Sequence, residues 1–362
     1  MKPNFRFYDN RQKYLMFVNT CSEKWVVAQR LAQELDNIQP APPALRFFDA
    51  GVGDGTVLSR LLRVMHRRFE RLPFYIAAKE ISLEDIRLTL DKMPDRFFEH
   101  PEMVLALTNL PYADAPWLKP RDPAAPPVWK EVALSGSTAA DFERQILELQ
   151  PFLTEHWRTR VSEKTGVLLP ETPTVLVLYR EDCRFILDQV IPRQGAARPA
   201  FDLVLASQPF RLRAETKFKA GRVLAPLARA LGPGGRLLGI HSAGHDPGHE
   251  IVRRVWPDED PFTTSDEGML DAVRAALGAE AAHFTFEPAS GEPLRYQMHT
   301  LPDEIDSEEA LIGTSTLLAA WNAATYVAQI EDDRLAQAMS NAGYLDATRA
   351  VLKKHGALWF DD

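Results

Sequence analysis

Apolar positions recur along the chain with two periods, and the alternation between them predicts its elements. Residues 10–35 carry Leu15, Val18, Trp25, Val26, Leu31 and Leu35 at helical spacing, interrupted by the polar run 19–24, where Ser22 can cap a second piece. After a proline-bounded linker at 40–43, the short apolar run 45–48 reads as a buried strand, and 57–70 returns to helical spacing. Residues 74–78 (FYIAA) and 103–107 (MVLAL) read as further buried strands. Between them, 82–93 reads as a helix with Ser82 at its N-cap and Glu84 and Asp85 in its first turn, where the dipole favours acids.

The rhythm breaks between 117 and 199. The stretch 119–127 holds four prolines, 138–160 has helical spacing, and the apolar runs 175–179 and 184–187 flank the polar turn 180–183 as a hairpin would. The pattern then resumes with a strand at 201–206 (FDLVLA), a helix at 219–231, a Gly-Pro-Gly-Gly turn at 232–235 and a strand at 236–240. Farther on, 268–277 reads as a helix, 283–286 and 294–299 as a pair of late strands, and 310–328 and 335–354 as helices. The last residues, 358–362, look like the approach to a final strand, and no internal repeat is visible. Strands alternating with helices predict an α/β fold with a doubly wound, mainly parallel sheet. The expected organisation is a helical N-terminal segment at 1–44, a core made of 45–116 and 200–362, and an α+β insertion at 117–199. Such an insertion serves either to cover a site or to pair subunits into a homodimer.

The turn after the first strand carries the most specific chemistry. It reads Asp49-Ala50-Gly51-Val52-Gly53-Asp54-Gly55-Thr56, a D-x-G-x-G-x-G run between a strand and a helix. Glycines there let the backbone turn sharply and approach a ligand closely. A dinucleotide fingerprint needs G-x-G-x-x-G, and Thr56 stands where its third glycine would be. The run resembles motif I of class I S-adenosylmethionine-dependent methyltransferases. The segments "FDLVLA" and "LARALGPGGRLLGI" resemble the later half of that family, so the matching stretches cover 45–112 and 200–242.

The resemblance implies a Rossmann-like, seven-strand-type sheet with S-adenosyl-L-methionine as cofactor. It implies that Asp49, Ala50, Gly51 and Gly53 hold the methionyl part. It also implies that Glu80, 25 positions after Gly55 and at the end of the second strand, takes the ribose. Ile81, Asn109 and Leu110 would then meet the adenine. By the same analogy Tyr14, Phe17 and Asn19 are candidates for a segment closing over the cofactor, with packing helices as the leading expectation.

Methyl transfer from a sulfonium needs few special side chains, so the acceptor site is harder to read. Ser207-Gln208-Pro209-Phe210 occupies the place where amine methyltransferases carry Asn/Asp/Ser-Pro-Pro-Tyr/Phe, with Gln208 departing from the first proline. Asn109-Leu110-Pro111-Tyr112 is similar to the same motif but falls one strand early. In the loop after the fifth strand, three histidines (His241, His245, His249) and the acids Asp246 and Glu250 lie within ten residues. A solvated loop is the leading expectation there, with His241 or His245 as a candidate base or substrate contact. A glycine-rich loop gives these groups no fixed scaffold for a metal, and none is expected. Arg211, Arg213, Lys217 and Lys219 read as a solvated helix face, or else as a grip on an anionic substrate.

Charge narrows the partners. The 362 residues carry a net charge of −8, whereas a protein gripping nucleic acid through phosphates needs a basic surface. A small-molecule or protein acceptor is therefore expected, with a nucleic-acid base as the alternative. A non-catalytic binding subunit on the same fold is a further alternative, against which the intact Asp49, Gly51, Gly53 and Glu80 speak. Two cysteines give no disulfide framework, residues 1–4 begin no apolar signal core, and no run is long enough to span a bilayer, so a cytoplasmic location is expected.

Overall fold

The computed structural model describes residues 11–122, 126–163, 168–288, 292–299 and 312–362. The expectations for residues 1–4, for Asn10, for 310–311 and for part of the proline stretch lie outside these residues. The chain divides into two compact units, one formed by 28–209 with 221–239 and the other by 1–27, 210–220 and 240–362.

The first unit is built on the central sheet. Its strands are β1 (Leu45–Asp49), β2 (Phe74–Lys79), β3 (Met103–Thr108), β4 (Val128–Leu134), β7 (Thr174–Arg180), β8 (Phe201–Ser207) and β9 (Leu231–Ile240), with a small β5 (Thr159–Val161) and β6 (Leu168–Pro170) pairing apart. The order across the seven-stranded sheet is β4-β7-β3-β2-β1-β8-β9. β1, β2, β3 and β8 run parallel, and β7 is antiparallel to β3. An α/β architecture with a mostly parallel, Rossmann-like sheet follows directly. β2, β3 and β7 are buried at every position, which is why they read as unbroken apolar runs.

The helix Thr56–Arg68 starts directly from the glycine turn and buries Val57, Leu58, Leu61, Leu62 and Met65. Ser82 caps Leu83–Asp91 as its sequence position predicts, its Oγ accepting from the Asp85 N–H at 3.2 Å. Gly55 holds φ +76, and a Cβ there would sit 2.8 Å from Thr89 Cα. Gly55→Ala is therefore expected to cost about 1–2 kcal/mol from the left-handed backbone alone, and more from the clash with Thr89. A lowered midpoint in urea unfolding checks it.

The stretch 117–199 differs from expectation. β4 and β7 join the main sheet, connected in parallel through the helices Ala139–Leu147 and Gln150–His156, so this region extends the sheet beyond β3. β4 was invisible in the sequence because it is an edge strand, only partly buried, with Lys130 and Glu131 in its middle. The hairpin expected at 175–187 does not form. Arg184–Leu187 is a helical turn with Phe185 95% exposed, and the Arg180 guanidinium folds back on the Asp182 carboxylate to close the bend locally. β9 begins at Leu231, five residues early, because Gly232 and Gly235 lie flat against the backbone of Ala200 and Phe201, leaving no room for a side chain. The preceding helix is broken into Thr216–Lys219, a π-turn at Ala220–Leu224, and Ala225–Ala228.

The second unit is mainly helical. Arg11–Thr20, Thr314–Val327, Pro247–Val255 and Gly343–His355 enclose an aromatic core of Phe17, Tyr296, Trp321, Tyr326 and Phe360. The partner of the late strand also differs from expectation. β10 (Arg295–Gln297) pairs antiparallel with β11 (Trp359–Asp361), not with 283–286, where a 3₁₀ helix at Gly278–His283 precedes irregular chain. The helix expected over 335–354 is two, Asp332–Ala338 and Gly343–His355. Among the described residues no helix is long and apolar enough to cross a membrane.

Candidate functional site

The glycine loop lies at the carboxyl ends of β1 and β2, the edge where open α/β sheets bind ligands. The Ala50 N–H donates to the Leu205 carbonyl and the Val52 N–H to the Lys79 carbonyl, anchoring the loop to both neighbouring strands. Asp49, 2% exposed, accepts from the Gly51 N–H at 3.1 Å. Gly53 takes φ +55. Its carbonyl accepts from Thr89 Oγ1 at 2.8 Å, and Lys92 Nζ donates to the Asp54 carbonyl at 2.6 Å. Gly51 differs from these fixed neighbours: it is exposed, and a Cβ built on it would meet nothing within 4 Å. A fixed loop thus borders open space at Gly51.

Glu80 is the acid on which this loop closes. One carboxylate oxygen accepts from the Gly53 N–H at 2.9 Å, and the other from the N–H groups of Ile81 (2.7 Å) and Ser82 (2.8 Å). Its main-chain carbonyl accepts from the Trp157 indole at 2.9 Å. The sequence-predicted Asp49, Ala50, Gly51, Gly53, Glu80 and Ile81 therefore come together on one edge of the sheet unit.

The Asn109 side-chain amide is engaged within the protein. Its amide nitrogen donates to the carbonyls of Thr172 (2.9 Å) and His156 (3.3 Å), and its oxygen accepts from the Thr174 N–H at 2.8 Å. These bonds occupy both amide hydrogens and pin the end of β3 to β7, and Leu110 beside it is buried. Tyr112 bridges two of the motif-like stretches, its hydroxyl donating to the Pro209 carbonyl at 2.7 Å. Beneath its ring, 4.5 Å from the centroid, lies the ammonium of Lys79. The burial of this lysine leaves no local signal, because a lysine closing an apolar strand reads as a solvated strand end.

Ser207 ends β8, and Gln208 after it adopts φ +47, a left-handed conformation that a non-glycine residue holds only at a cost. Phe210 and His241 belong to the second unit, with ring centroids 6.4 Å apart. His241 Nε2 lies 3.3 Å from an Asp266 carboxylate oxygen. Burial pulls the His241 pKa below its usual value; Asp266 opposes that and nearby Lys219 adds to it. Lys219, read from sequence as solvated, is 1% exposed. It donates to the Leu212 carbonyl (2.7 Å) and Thr264 Oγ1 (3.0 Å), so it braces the segment after Phe210. Arg213 is also engaged, bonding the carbonyls of Ala328 and Gln329.

The remaining histidine-loop groups serve the fold. Asp246 caps Pro247–Val255, accepting from the His249 N–H at 2.8 Å. His249 Nδ1 accepts from the His245 N–H, which leaves Nε2–H to donate to the Glu259 carbonyl. Glu250 is ringed by Arg254, Lys354 and His355, which hold its pKa down at about 2. Among the described residues no group of three or more His, Cys, Asp or Glu is placed to hold a metal ion. Tyr14 packs against Tyr326 in the second unit, with Lys24 5.4 Å from its ring.

No family model matches this chain, and no curated protein does. Among solved structures, the crystal structure of MNMC2 from Aquifex aeolicus matches across 88% of this chain and 76% of its own, at 12% identity and a TM-score of 0.21. A likeness that distant carries no argument about activity, and the functional reading rests on the residues themselves.

Proposed function

We propose that the protein is an S-adenosylmethionine-dependent methyltransferase. The observation that carries this reading is the closure of the glycine loop on the second-strand acid, Gly53 N–H to Glu80, beside the open space over Gly51. In this reading the methionyl part lies along Asp49 to Gly53, Glu80 takes the ribose, and Ile81 and Leu110 flank the adenine. The cofactor supplies an activated methyl group on a sulfonium. The protein's task is then to hold the acceptor atom in line with the carbon–sulfur bond, and alignment alone supplies much of the rate.

The acceptor is a group on a small molecule or a protein, and Ser207 with the Gln208 carbonyl suits an amine. The acceptor class is tested by transfer of labelled methyl into cell extract before and after RNase and protease. Label lost to protease identifies a protein acceptor, label lost to RNase would make a nucleic-acid base the acceptor, and no transfer to any fraction would leave a binding subunit.

A further inference from the structure

The basic face of the helical unit plays no part in the reading above. A cleft of about 730 Å³ opens there, walled by the helices Pro247–Val255 and Gly343–His355 and by β11. That volume suits a small organic ligand rather than a lone ion. Arg253, Arg254, Arg295 and Lys354 line it, and three carboxylates share the lining. Protein donors already hold each carboxylate. Asp246 accepts from the His249 and Asp361 N–H groups, and Asp361 accepts both arms of Arg295, at 2.8 and 3.0 Å. Glu250 gathers Arg254 at 2.9 Å, with Lys354 and His355 at 2.8 Å each.

The Glu250 cluster carries more donors than it can satisfy. Lys354 has three N–H hydrogens and Arg254 five, and a single carboxylate stands between them. Arg253 adds a further cation to the lining. It uses only Nε, on the Pro257 carbonyl at 3.4 Å, and among the described residues nothing meets its two terminal NH₂ groups. A guanidinium with that edge free matches the paired oxygens of a phosphate. Trp359 supplies an aromatic wall. It is half-buried, its ring 5.1 Å from the Arg295 guanidinium and 5.3 Å from the His355 ring. Cations beside an indole suit a phosphate joined to an organic part, and a net charge of −8 disfavours a long polyanion. We propose that this cleft binds a phosphorylated small molecule, its phosphate held by Arg254 and Lys354 with Arg253 as a further donor, and its organic part against Trp359. All of these groups belong to the helical unit, so the proposal stands independently of the cofactor reading.

The test is calorimetric titration of the full chain with ribose 5-phosphate, beside inorganic phosphate and ribose as its two halves. Ribose 5-phosphate should saturate one site with a Kd of about 1 mM or below, phosphate alone should bind more weakly, and ribose should not bind. Arg253→Gln and Lys354→Gln should each weaken ribose 5-phosphate by about tenfold, the size of a hydrogen bond to a charged group. Both side chains are exposed, so the unfolding temperature should move little. Glu250→Gln should instead tighten binding several-fold, because it removes the carboxylate that competes with phosphate for Arg254 and Lys354. Absence of binding by both phosphate probes at millimolar concentration, unchanged affinity in Arg253→Gln and Lys354→Gln, or weaker binding in Glu250→Gln would each overturn the proposal. A short RNA that binds through Arg253 while ribose 5-phosphate does not would make the cleft a nucleic-acid face and overturn it as well.

Discussion

Gly51→Ala is expected to leave the protein folded while lowering its affinity for S-adenosylmethionine by roughly tenfold to a hundredfold, the range over-packing produces. A Cβ at Gly51 meets no protein atom within 4 Å, and its φ lies outside the positive region that Gly53 and Gly55 occupy. The native backbone accepts alanine without strain, and the stiffer unfolded chain adds a few tenths of a kcal/mol to about 1 kcal/mol of stability. The added methyl intrudes instead on the space that the proposed reading gives to the cofactor's methionyl part. The contrast with Gly55→Ala makes the result diagnostic, since that substitution strikes Thr89 and destabilises the fold itself. Denaturant unfolding and calorimetric titration of both variants separate a glycine kept for the ligand from one kept for the turn. Unchanged affinity in Gly51→Ala would place the cofactor elsewhere.

Glu80→Ala has the second large effect, on stability and binding together. It strips the partner from three main-chain N–H groups, at Gly53, Ile81 and Ser82, in a site where Glu80 is only 9% exposed. At about 1 kcal/mol for each orphaned donor, stability falls by roughly 3 kcal/mol. Affinity for the cofactor falls by about a hundredfold or more, because a buried, hydrogen-bonded charge is lost from the contact and the loop it fixes is released. Glu80→Gln should lie between, since its single oxygen satisfies Ile81 and Ser82 but turns an amide NH₂ toward the Gly53 N–H. Thermal unfolding with and without S-adenosylhomocysteine reads both quantities, and a variant that keeps wild-type affinity would remove the ribose assignment.

The parts legible in the sequence are those whose signals are local and strong. β1, β2 and β3 are buried on both faces, so their apolar runs needed no partner to identify them. Ser82 and the glycine turn declare themselves through cap and backbone chemistry. What escaped depends on contacts far apart in the chain. β4 lacks a strand signature because it is half-exposed at a sheet edge, and its pairing with β7 is a tertiary event. β10 found β11 some sixty residues later instead of the apolar stretch beside it. Phe185 and Ile186 look like strand residues only until the Arg180–Asp182 pair turns the chain.

Residue roles followed the same division. The place of Glu80 at the end of β2 was readable because an acid after an apolar strand is a positional signal. The engagement of Asn109 with Thr172 and Thr174, and the burial of Lys79 and Lys219, depend on segments 7 to 65 residues distant.

The most direct test of the central claim is a calorimetric titration of the intact chain with S-adenosylhomocysteine, run beside Gly51→Ala. The account predicts saturable binding at one site per chain, strongly weakened in the folded variant. Absence of binding to the wild-type protein at millimolar ligand would contradict it.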